Sequence, residues 1–255
     1  MTKMEAARIA YRDGDAELSG LFFSDSAMKH SRPGVLVVHG GAGLDDHAKE
    51  QAVRLAKLGF VVLACDMYGS DVAGNRELVL ARINELRHDL TKLCRRARAG
   101  VEVLLSHSQV DGRIATVGYC FGGMTVLELA RSDMDLTGVI SVHGSLNTPR
   151  PAQPGIVKAK ILVCHGALDP YVPITQVSEF VQEMNQAGAD WQLIIYGGAM
   201  HGFTHKHGPA LPGVAYHAPS DTHSATAIQH FLAELFGSNP DSVKPQPETR
   251  ESNHR

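Results

Sequence analysis

The stretch "ATVGYCFGGMTVLELA", residues 115–130, places a cysteine in a cluster of glycines, between an apolar run and a helical pattern. The β-branched run before it stops at Gly118, and Gly122 and Gly123 follow Cys120 before the helical pattern starts. Glycine at this density indicates a backbone that turns sharply and leaves little room for side chains. The segment matches the nucleophile-elbow motif G-x-S-x-G, with cysteine in place of serine. It therefore predicts a strand, a sharp turn that presents the Cys120 thiol, and a helix.

The motif alone leaves two interpretations of Cys120 open. A helix whose N-terminus points at the sulfur favours the thiolate, which is the nucleophilic form of cysteine. A free cysteine beside a glycine turn can equally be a small buried core residue. The residues that follow the other apolar runs of the chain distinguish these two interpretations.

Apolar, β-branched runs alternate with helical patterns along most of the chain. Runs that are apolar throughout are typical of parallel strands covered on both faces, and their alternation with helices predicts a doubly wound α/β sheet. A turn at Asp13-Gly14 adds an N-terminal antiparallel hairpin. The predicted core strands cover residues 34–40, 59–66, 113–120, 136–144, 159–166 and 191–198, and the predicted helices cover about 46–58, 76–107, 122–131, 173–187 and 222–236.

Length and composition predict one domain. The chain has 255 residues, of which 44% are hydrophobic, enough for a full core over residues 1–237. Residues 238–255 are polar and rich in proline, and we expect a disordered tail there. We identify no signal-peptide core and no run of eighteen apolar residues, so a cytoplasmic location is expected. The four cysteines are far apart in the sequence and are expected to be free thiols.

The formal net charge of −3 gives no bulk attraction to nucleic acid or to anionic membranes. We therefore expect a small molecule as the partner, and the sequence does not predict an oligomeric state.

Two further polar residues follow late strands of the predicted sheet. Asp169 lies in "HGALDPYVP" and His201 in "GGAMHGF", each just after an apolar run. Ligands of open parallel sheets bind beyond the carboxyl ends of the strands. Asp169 taken alone is explained as a turn residue before Pro170, and His201 as a loop histidine. Together, the chain order Cys120, Asp169, His201 is that of a nucleophile, an orienting carboxylate and a base.

At this point the sequence resembles the dienelactone hydrolase family, a branch of the α/β-hydrolase fold. "GYCFGG" resembles the cysteine elbow of that family, "HGALDPYVP" its acid loop and "MHGF" its histidine loop. "CDMYG" resembles the segment after its second core strand, and the similarity covers roughly residues 5–236. The resemblance implies that Cys120 is the nucleophile, His201 the general acid and base, and Asp169 the residue that orients His201.

Two positions depart from the family pattern. Members that cleave dienelactone have a glutamate directly after the residue aligned with His39, where it contacts the resting cysteine; here that position is Gly40. They also have an arginine four residues past the catalytic histidine, where this chain has His205. The resemblance therefore implies ester or lactone hydrolysis and does not fix dienelactone as the substrate.

The glycine-rich segment "HGGAG", residues 39–43, follows the first core strand. Such a loop can supply one backbone N–H to an oxyanion hole, and the residue after the nucleophile supplies another. We assign these donors to Gly41 and Phe121. A loop that only lets the chain turn is the alternative for Gly41.

Other candidates are weaker. His201, His205 and His207 are close in sequence, but no acidic or cysteine ligand accompanies them, and we predict no metal site and no cofactor. Arg76 and Arg82 lie in a predicted helix near the active face and, with His205, are candidates for substrate binding. Solvated helix charges are the alternative for both arginines.

The sequence thus predicts a cofactor-independent hydrolase of small carboxylic esters or lactones that works through a Cys-His-Asp triad and a thioester. A non-catalytic ligand-binding or thiol redox-sensing relative is an alternative, and a peptidase is another. A Cys120-dependent release of nitrophenol from short acyl esters would separate the first two.

Overall fold

A computed structural model of the chain describes residues 4–25, 30–72 and 75–237. Eight strands pair in a single sheet, and each core strand overlaps a run predicted from the sequence. The strands are β1 (Met4–Asp13), β2 (Ala16–Asp25), β3 (Arg32–Val38), β4 (Val61–Cys65), β5 (Val110–Tyr119), β6 (Gly138–Val142), β7 (Lys160–Gly166) and β8 (Trp191–Tyr196).

The sheet is parallel except at its N-terminal edge. Its order is β1-β2-β4-β3-β5-β6-β7-β8. β1 pairs antiparallel with β2, and β2 antiparallel with β4, whereas all later pairings are parallel. Gly14, in the turn between β1 and β2, has a φ of +59°, which glycine adopts without steric cost. The predicted α/β fold with an N-terminal antiparallel hairpin is confirmed.

Six helices of the described residues connect or follow the core strands. They are α1 (Asp46–Lys57), α2 (Arg76–His88), α3 (Leu90–Leu105), α4 (Phe121–Arg131), α5 (Ile174–Ala187) and α6 (Ala218–Phe236), and a short 3-10 turn spans Ser70–Val72.

Two predicted helices had wrong bounds. The single helix expected over 76–107 is two, because Asp89 leaves the helical conformation with φ −114° and ψ 83°. Its carboxylate accepts the Lys92 amide at 2.9 Å and so caps the start of α3. The last helix begins at Ala218 rather than at residue 222, and Pro219 fits its first turn, where a missing N–H costs nothing.

Helices cover both faces of the sheet. Side chains of successive residues in β3 point to opposite faces, so that Leu36 and Val38 join one core cluster and Val35 and Val37 the other. Helices α3, α4 and α5 pack on the first face, and α1 and α6 on the second. This two-sided burial explains why the core strands are apolar throughout.

The centre and the edge of the sheet differ in burial. All eleven residues of α4, which follows the central strand β5, are buried. β8 forms one edge of the sheet, and Tyr196 is its only buried residue.

Three sequence expectations concern the remaining chain. All four cysteines lie in the described residues and are free thiols, as predicted. None of the described helices has the length and apolar character needed to cross a membrane. The expected tail, residues 238–255, lies outside the described residues, and the single domain over 1–237 stays a prediction.

Candidate active site

Cys120 lies at the turn between β5 and α4, where glycines are sterically required. Its φ of +54° and ψ of −113° are unusual for a residue with a side chain. A Cβ at Gly118 would lie 2.0 Å from the Gly122 oxygen, and one at Gly122 would lie 2.1 Å from the Val38 oxygen. Both distances are far below contact, so these positions exclude any side chain. The first glycine of the G-x-C-x-G spacing is therefore required by the tightness of the turn itself, and the second by how closely the turn packs on the end of β3.

The structure brings the three residues of the predicted triad together. His201 Nε2 lies 3.1 Å from Cys120 Sγ, and His201 Nδ1 lies 2.8 Å from Asp169 Oδ2. The other Asp169 oxygen, Oδ1, accepts the amides of Tyr171 at 2.8 Å and Val172 at 3.2 Å. Asp169 is fully buried and His201 largely so, with 0% and 14% of their side chains exposed. These distances match a nucleophile, a base and an orienting carboxylate.

The surroundings favour a thiolate–imidazolium pair. Burial alone would raise the pKa of the Cys120 thiol, but the hydrogen bond and positive charge of His201 and two backbone amides lower it below its ordinary value. Burial would likewise lower the pKa of His201, but the hydrogen bonds and negative charges of Asp169 and Cys120 raise it to about 10. The two shifts share a cause, since each charged group stabilises its partner, and Asp169 adds to the rise in the His201 pKa.

The amides of Phe121 and Gly41 both face the Cys120 sulfur. Phe121 is the first residue of α4, and Gly41 lies in the loop that follows β3. These are the two groups that the sequence assigned to an oxyanion hole. Two N–H donors beside a nucleophile can stabilise negative charge on a carbonyl oxygen under attack.

Gly40 leaves the space beside the sulfur without a carboxylate. A Cβ at Gly40 would lie 3.5 Å from Cys120 Cβ, so a longer side chain there would reach the nucleophile. His201 and the two amides therefore supply the stabilisation of the thiolate in this chain.

The three substrate-binding candidates lie outside the triad. His205 Nε2 lies 2.8 Å from Asp45 Oδ2, at the start of α1. Arg82 donates to the Tyr68 carbonyl and forms ion pairs with Asp71 at 2.9 Å and Glu85 at 3.0 Å. This arrangement favours a structural role for Arg82. Arg76 is exposed in the first turn of α2.

The residues that could hold a metal ion differ from the histidine cluster seen in the sequence. Asp45, His47 and His205 offer three ligand atoms within 4.8 Å of one another. The rings of His47 and His205 stack with 14° between their planes and 4.6 Å between centroids. Stacked rings lie in separate parallel planes, so their in-plane lone pairs do not converge on one ion. His47 Nε2 lies 2.9 Å from Thr204 Oγ1, and His205 Nε2 lies 2.8 Å from Asp45 Oδ2, so the Nε2 atom of each ring already has a hydrogen-bond partner.

We expect esterase activity to survive strong chelators, because the triad supplies both the nucleophile and the proton transfers. The measurement is the initial rate of ester hydrolysis after dialysis against EDTA, with His205→Ala as a companion variant. Loss of activity on chelation, restored by zinc in the wild type but not in His205→Ala, would make this trio a functional metal site.

A buried polar chain behind the elbow was not predicted from the sequence. His143 Nδ1 accepts the Cys120 amide at 3.1 Å, and its Nε2 lies 2.9 Å from Thr204 Oγ1. Thr204 is three residues past His201, so this chain connects the nucleophile's turn to the histidine loop. His143 also has a positive φ of 41°. Its position after β6 in "VHG" is the only sequence signal that could have indicated it.

The parallel sheet, the cysteine at a strand–helix elbow and the order Cys120, Asp169, His201 define an α/β-hydrolase. The model of the dienelactone hydrolase family matches residues 19–236 of the chain. The chain belongs to this family, as its motifs suggested, and is a hydrolase of carboxylic esters or lactones.

Known relatives agree with this assignment. A Bradyrhizobium sp. protein named "Probable 2-oxo-3-(5-oxofuran-2-ylidene)propanoate lactonase" is 29% identical over 187 residues, which cover 69% of this chain and 74% of that one. Two solved structures each align with a TM-score of 0.86. The structure titled "m3DLH" is 35% identical and covers 91% of this chain and 99% of its own. A dienelactone hydrolase-like promiscuous phosphotriesterase from metagenomic libraries is 37% identical and covers 92% and 99%.

Proposed function

We propose that the chain hydrolyses small carboxylic esters or lactones through Cys120, His201 and Asp169, with a thioester intermediate and without metal or cofactor. The observation that carries the proposal is the continuous line of hydrogen bonds from Cys120 Sγ through His201 to Asp169, at 3.1 and 2.8 Å. It supports the proposal because it joins a thiolate nucleophile to a proton donor whose tautomer and orientation Asp169 fixes.

Acylation starts from the ion pair. The Cys120 thiolate attacks the carbonyl carbon, and the carbonyl oxygen becomes an oxyanion that accepts the amides of Phe121 and Gly41. A donor aimed at that oxygen typically contributes about 3 kcal/mol to the transition state. When the carbon–oxygen bond breaks, the leaving alkoxide takes the Nε2 proton of His201. A lactone keeps its alcohol on the same molecule, as a hydroxyacyl thioester.

In deacylation the same groups exchange roles: His201 acts as the base and Cys120 as the leaving group. His201 is now neutral and accepts a proton from water, which attacks the thioester carbonyl. The second tetrahedral intermediate expels the Cys120 thiolate and leaves a carboxylic acid. The proton on His201 restores the ion pair, so one water is consumed and no proton remains unassigned.

The ion pair predicts an unusual reactivity of Cys120. We expect iodoacetamide to alkylate it below neutral pH, where an ordinary cysteine, with a pKa near 8.5, is almost entirely protonated. The pKa of Cys120 is lowered, so the thiolate remains as the pH falls, whereas burial raises the pKa of Cys94 to about 11 and that of Cys164 to about 12. The measurement is the alkylation rate against pH, with the modified residue identified by mass spectrometry.

His201→Ala is the test of the pairing. It removes the largest favourable contribution to the thiolate, so the alkylation midpoint should move to higher pH. A wild-type midpoint at or above that of free cysteine, unmoved in His201→Ala, would show that no such pair exists.

A second candidate activity is hydrolysis of phosphotriesters. The relative named as a promiscuous phosphotriesterase is 37% identical and aligns over 92% of this chain. A phosphotriester offers an electrophilic phosphorus and a polar P=O oxygen, which suit the same thiolate and amides. Turnover of paraoxon that disappears in Cys120→Ala would support it. A single burst of nitrophenol without turnover would mean that the phosphoryl enzyme is not hydrolysed.

A further inference from the structure

Three donors converge on one carbonyl oxygen beside the nucleophile. The Gly40 oxygen lies 2.7 Å from His39 Nδ1, 3.1 Å from the Tyr68 hydroxyl and 3.2 Å from the Gly43 amide. The Gly43 contact closes a turn within the loop, whereas His39 and Tyr68 contribute side chains. Both side chains are buried, with 1% and 4% of each residue exposed.

We propose that Tyr68 and His39 are positioning residues for the oxyanion hole, because they hold the Gly40–Gly41 peptide in one orientation. The Gly40 oxygen and the Gly41 N–H belong to the same planar, trans peptide and point in opposite directions. Fixing the oxygen therefore fixes the direction of the N–H, which faces Cys120 Sγ. The inference rests on the proposed function, in which this N–H stabilises the oxyanion.

The loop needs such an anchor because of its composition. Gly40, Gly41 and Gly43 are three of the four residues from 40 to 43, and glycine has the most freedom to rotate about φ and ψ. A Cβ at Gly41 would meet nothing nearer than Ile83 Cδ1, at 3.8 Å. Sterics therefore leave the Gly41 amide free to turn, and hydrogen bonds to the Gly40 oxygen restrict it.

His39 is held in the tautomer that this role requires. Its Nε2 accepts the Met67 amide at 3.1 Å, which leaves the proton on Nδ1, facing the Gly40 oxygen. Burial lowers the pKa of His39, so the ring stays neutral and keeps this donor and this acceptor.

Tyr68 is also fixed, through its backbone. Asp66 Oδ1 accepts the amides of Tyr68 at 2.9 Å and Gly69 at 3.0 Å, and Arg96 holds the Met67 carbonyl at 3.1 Å. Burial, together with the nearby Cys120 charge, raises the pKa of the Tyr68 phenol well above its ordinary value, so it remains a donor. Its ring meets His39 edge-on, with centroids 4.5 Å apart.

The decisive variant is Tyr68→Phe, which removes one hydroxyl and keeps the ring. Complete loss of an oxyanion donor costs about 10² to 10³ in kcat, and we expect loosening of one to lower kcat about tenfold. KM for nitrophenyl acetate should stay within about twofold, because the amide acts mainly on the transition state. Rates are taken on the pH plateau, above the alkylation midpoint, so that a small change in the thiolate pKa does not contribute.

Two variants of His39 form a matched pair. His39→Leu removes the donor and should lower kcat at least as far as Tyr68→Phe, whereas His39→Asn keeps an N–H at the position of Nδ1 and should recover most of the loss. If His39→Leu does not fold, Tyr68→Phe decides alone. Tyr196→Phe is the control, because it removes a buried hydroxyl whose partner is Cys164, and its kcat should equal that of the wild type.

A kcat of Tyr68→Phe within about twofold of wild type, or a loss confined to KM, would overturn the inference. Cys120→Ala is assayed alongside. If Cys120→Ala is inactive and Tyr68→Phe is normal, only the positioning role fails. If Cys120→Ala keeps its activity, the proposed function itself fails.

Discussion

Cys120→Ala should lower the kcat for ester hydrolysis by at least about 10⁴-fold, because removing the nucleophile leaves only the oxyanion donors and substrate binding to act on water. The fold should remain intact. The Cys120 side chain is partly exposed, so its replacement by alanine should leave no cavity in the core. Thermal unfolding and steady-state kinetics on the same preparation check both expectations.

Cys94→Ala is the matched control for this variant. Cys94 is a free thiol of comparable exposure on α3, away from the triad, and its removal should leave kcat unchanged. Turnover by Cys120→Ala above about a hundredth of the wild-type value would reject Cys120 as nucleophile. A wild-type protein that binds esters without turning them over would instead favour the ligand-binding or redox-sensing alternative.

Asp169→Asn should lower kcat by about 10⁴-fold, as the corresponding change does in serine proteases, with much less effect on KM. The reason lies in the two oxygens of Asp169. Oδ1 already accepts the amides of Tyr171 and Val172, so the single oxygen of an asparagine is held there. The NH2 group then faces His201 Nδ1 and donates to it. This places the ring proton on Nε2 in the neutral histidine, which cannot accept a proton from thiol or water.

Asp221→Asn provides the comparison. Asp221 is buried at the start of α6 and pairs with Arg54 at 3.4 Å, without contact to the triad. Its loss should lower the melting temperature and leave kcat intact. If Asp169→Asn keeps near-wild-type kcat, the proposed role of Asp169 in orienting His201 fails.

The fold and the triad could be predicted because both depend on local patterns. Apolar runs indicate strands covered on both faces. The carboxyl ends of parallel strands lie at one edge of the sheet, and this rule predicted that Cys120, Asp169 and His201 lie close together. Gly118 and Gly122 also indicate the elbow directly, because the turn leaves no room for a side chain at either position. The break between α2 and α3 was missed. Asp89 is a residue type that caps helices, but the helical pattern continues on both sides of it and favoured a single helix.

The supporting residues could not be predicted because they act through tertiary contacts. His143, Thr204 and Tyr68 come from three separate loops, and no spacing links them to Cys120. The candidate role of His205 in substrate binding stays a prediction. Its distance in sequence from His201 suggested the substrate side, but its ring turns towards Asp45 at the start of α1.

The position of β8 at the edge of the sheet affects how the enzyme loses activity on heating or in denaturant. His201 follows this strand and is 81 residues from Cys120, so the pairing of β8 with β7 helps to bring the two together, beside the contact of Thr204 with His143. Edge strands with few buried side chains open more easily than central ones. We expect fraying of this edge to loosen the contact between the imidazole and the sulfur while β3, β5 and α4 still hold the rest of the core. Heat or denaturant should therefore stop catalysis before the protein as a whole unfolds, and the loss should reverse as long as the centre of the sheet stays folded.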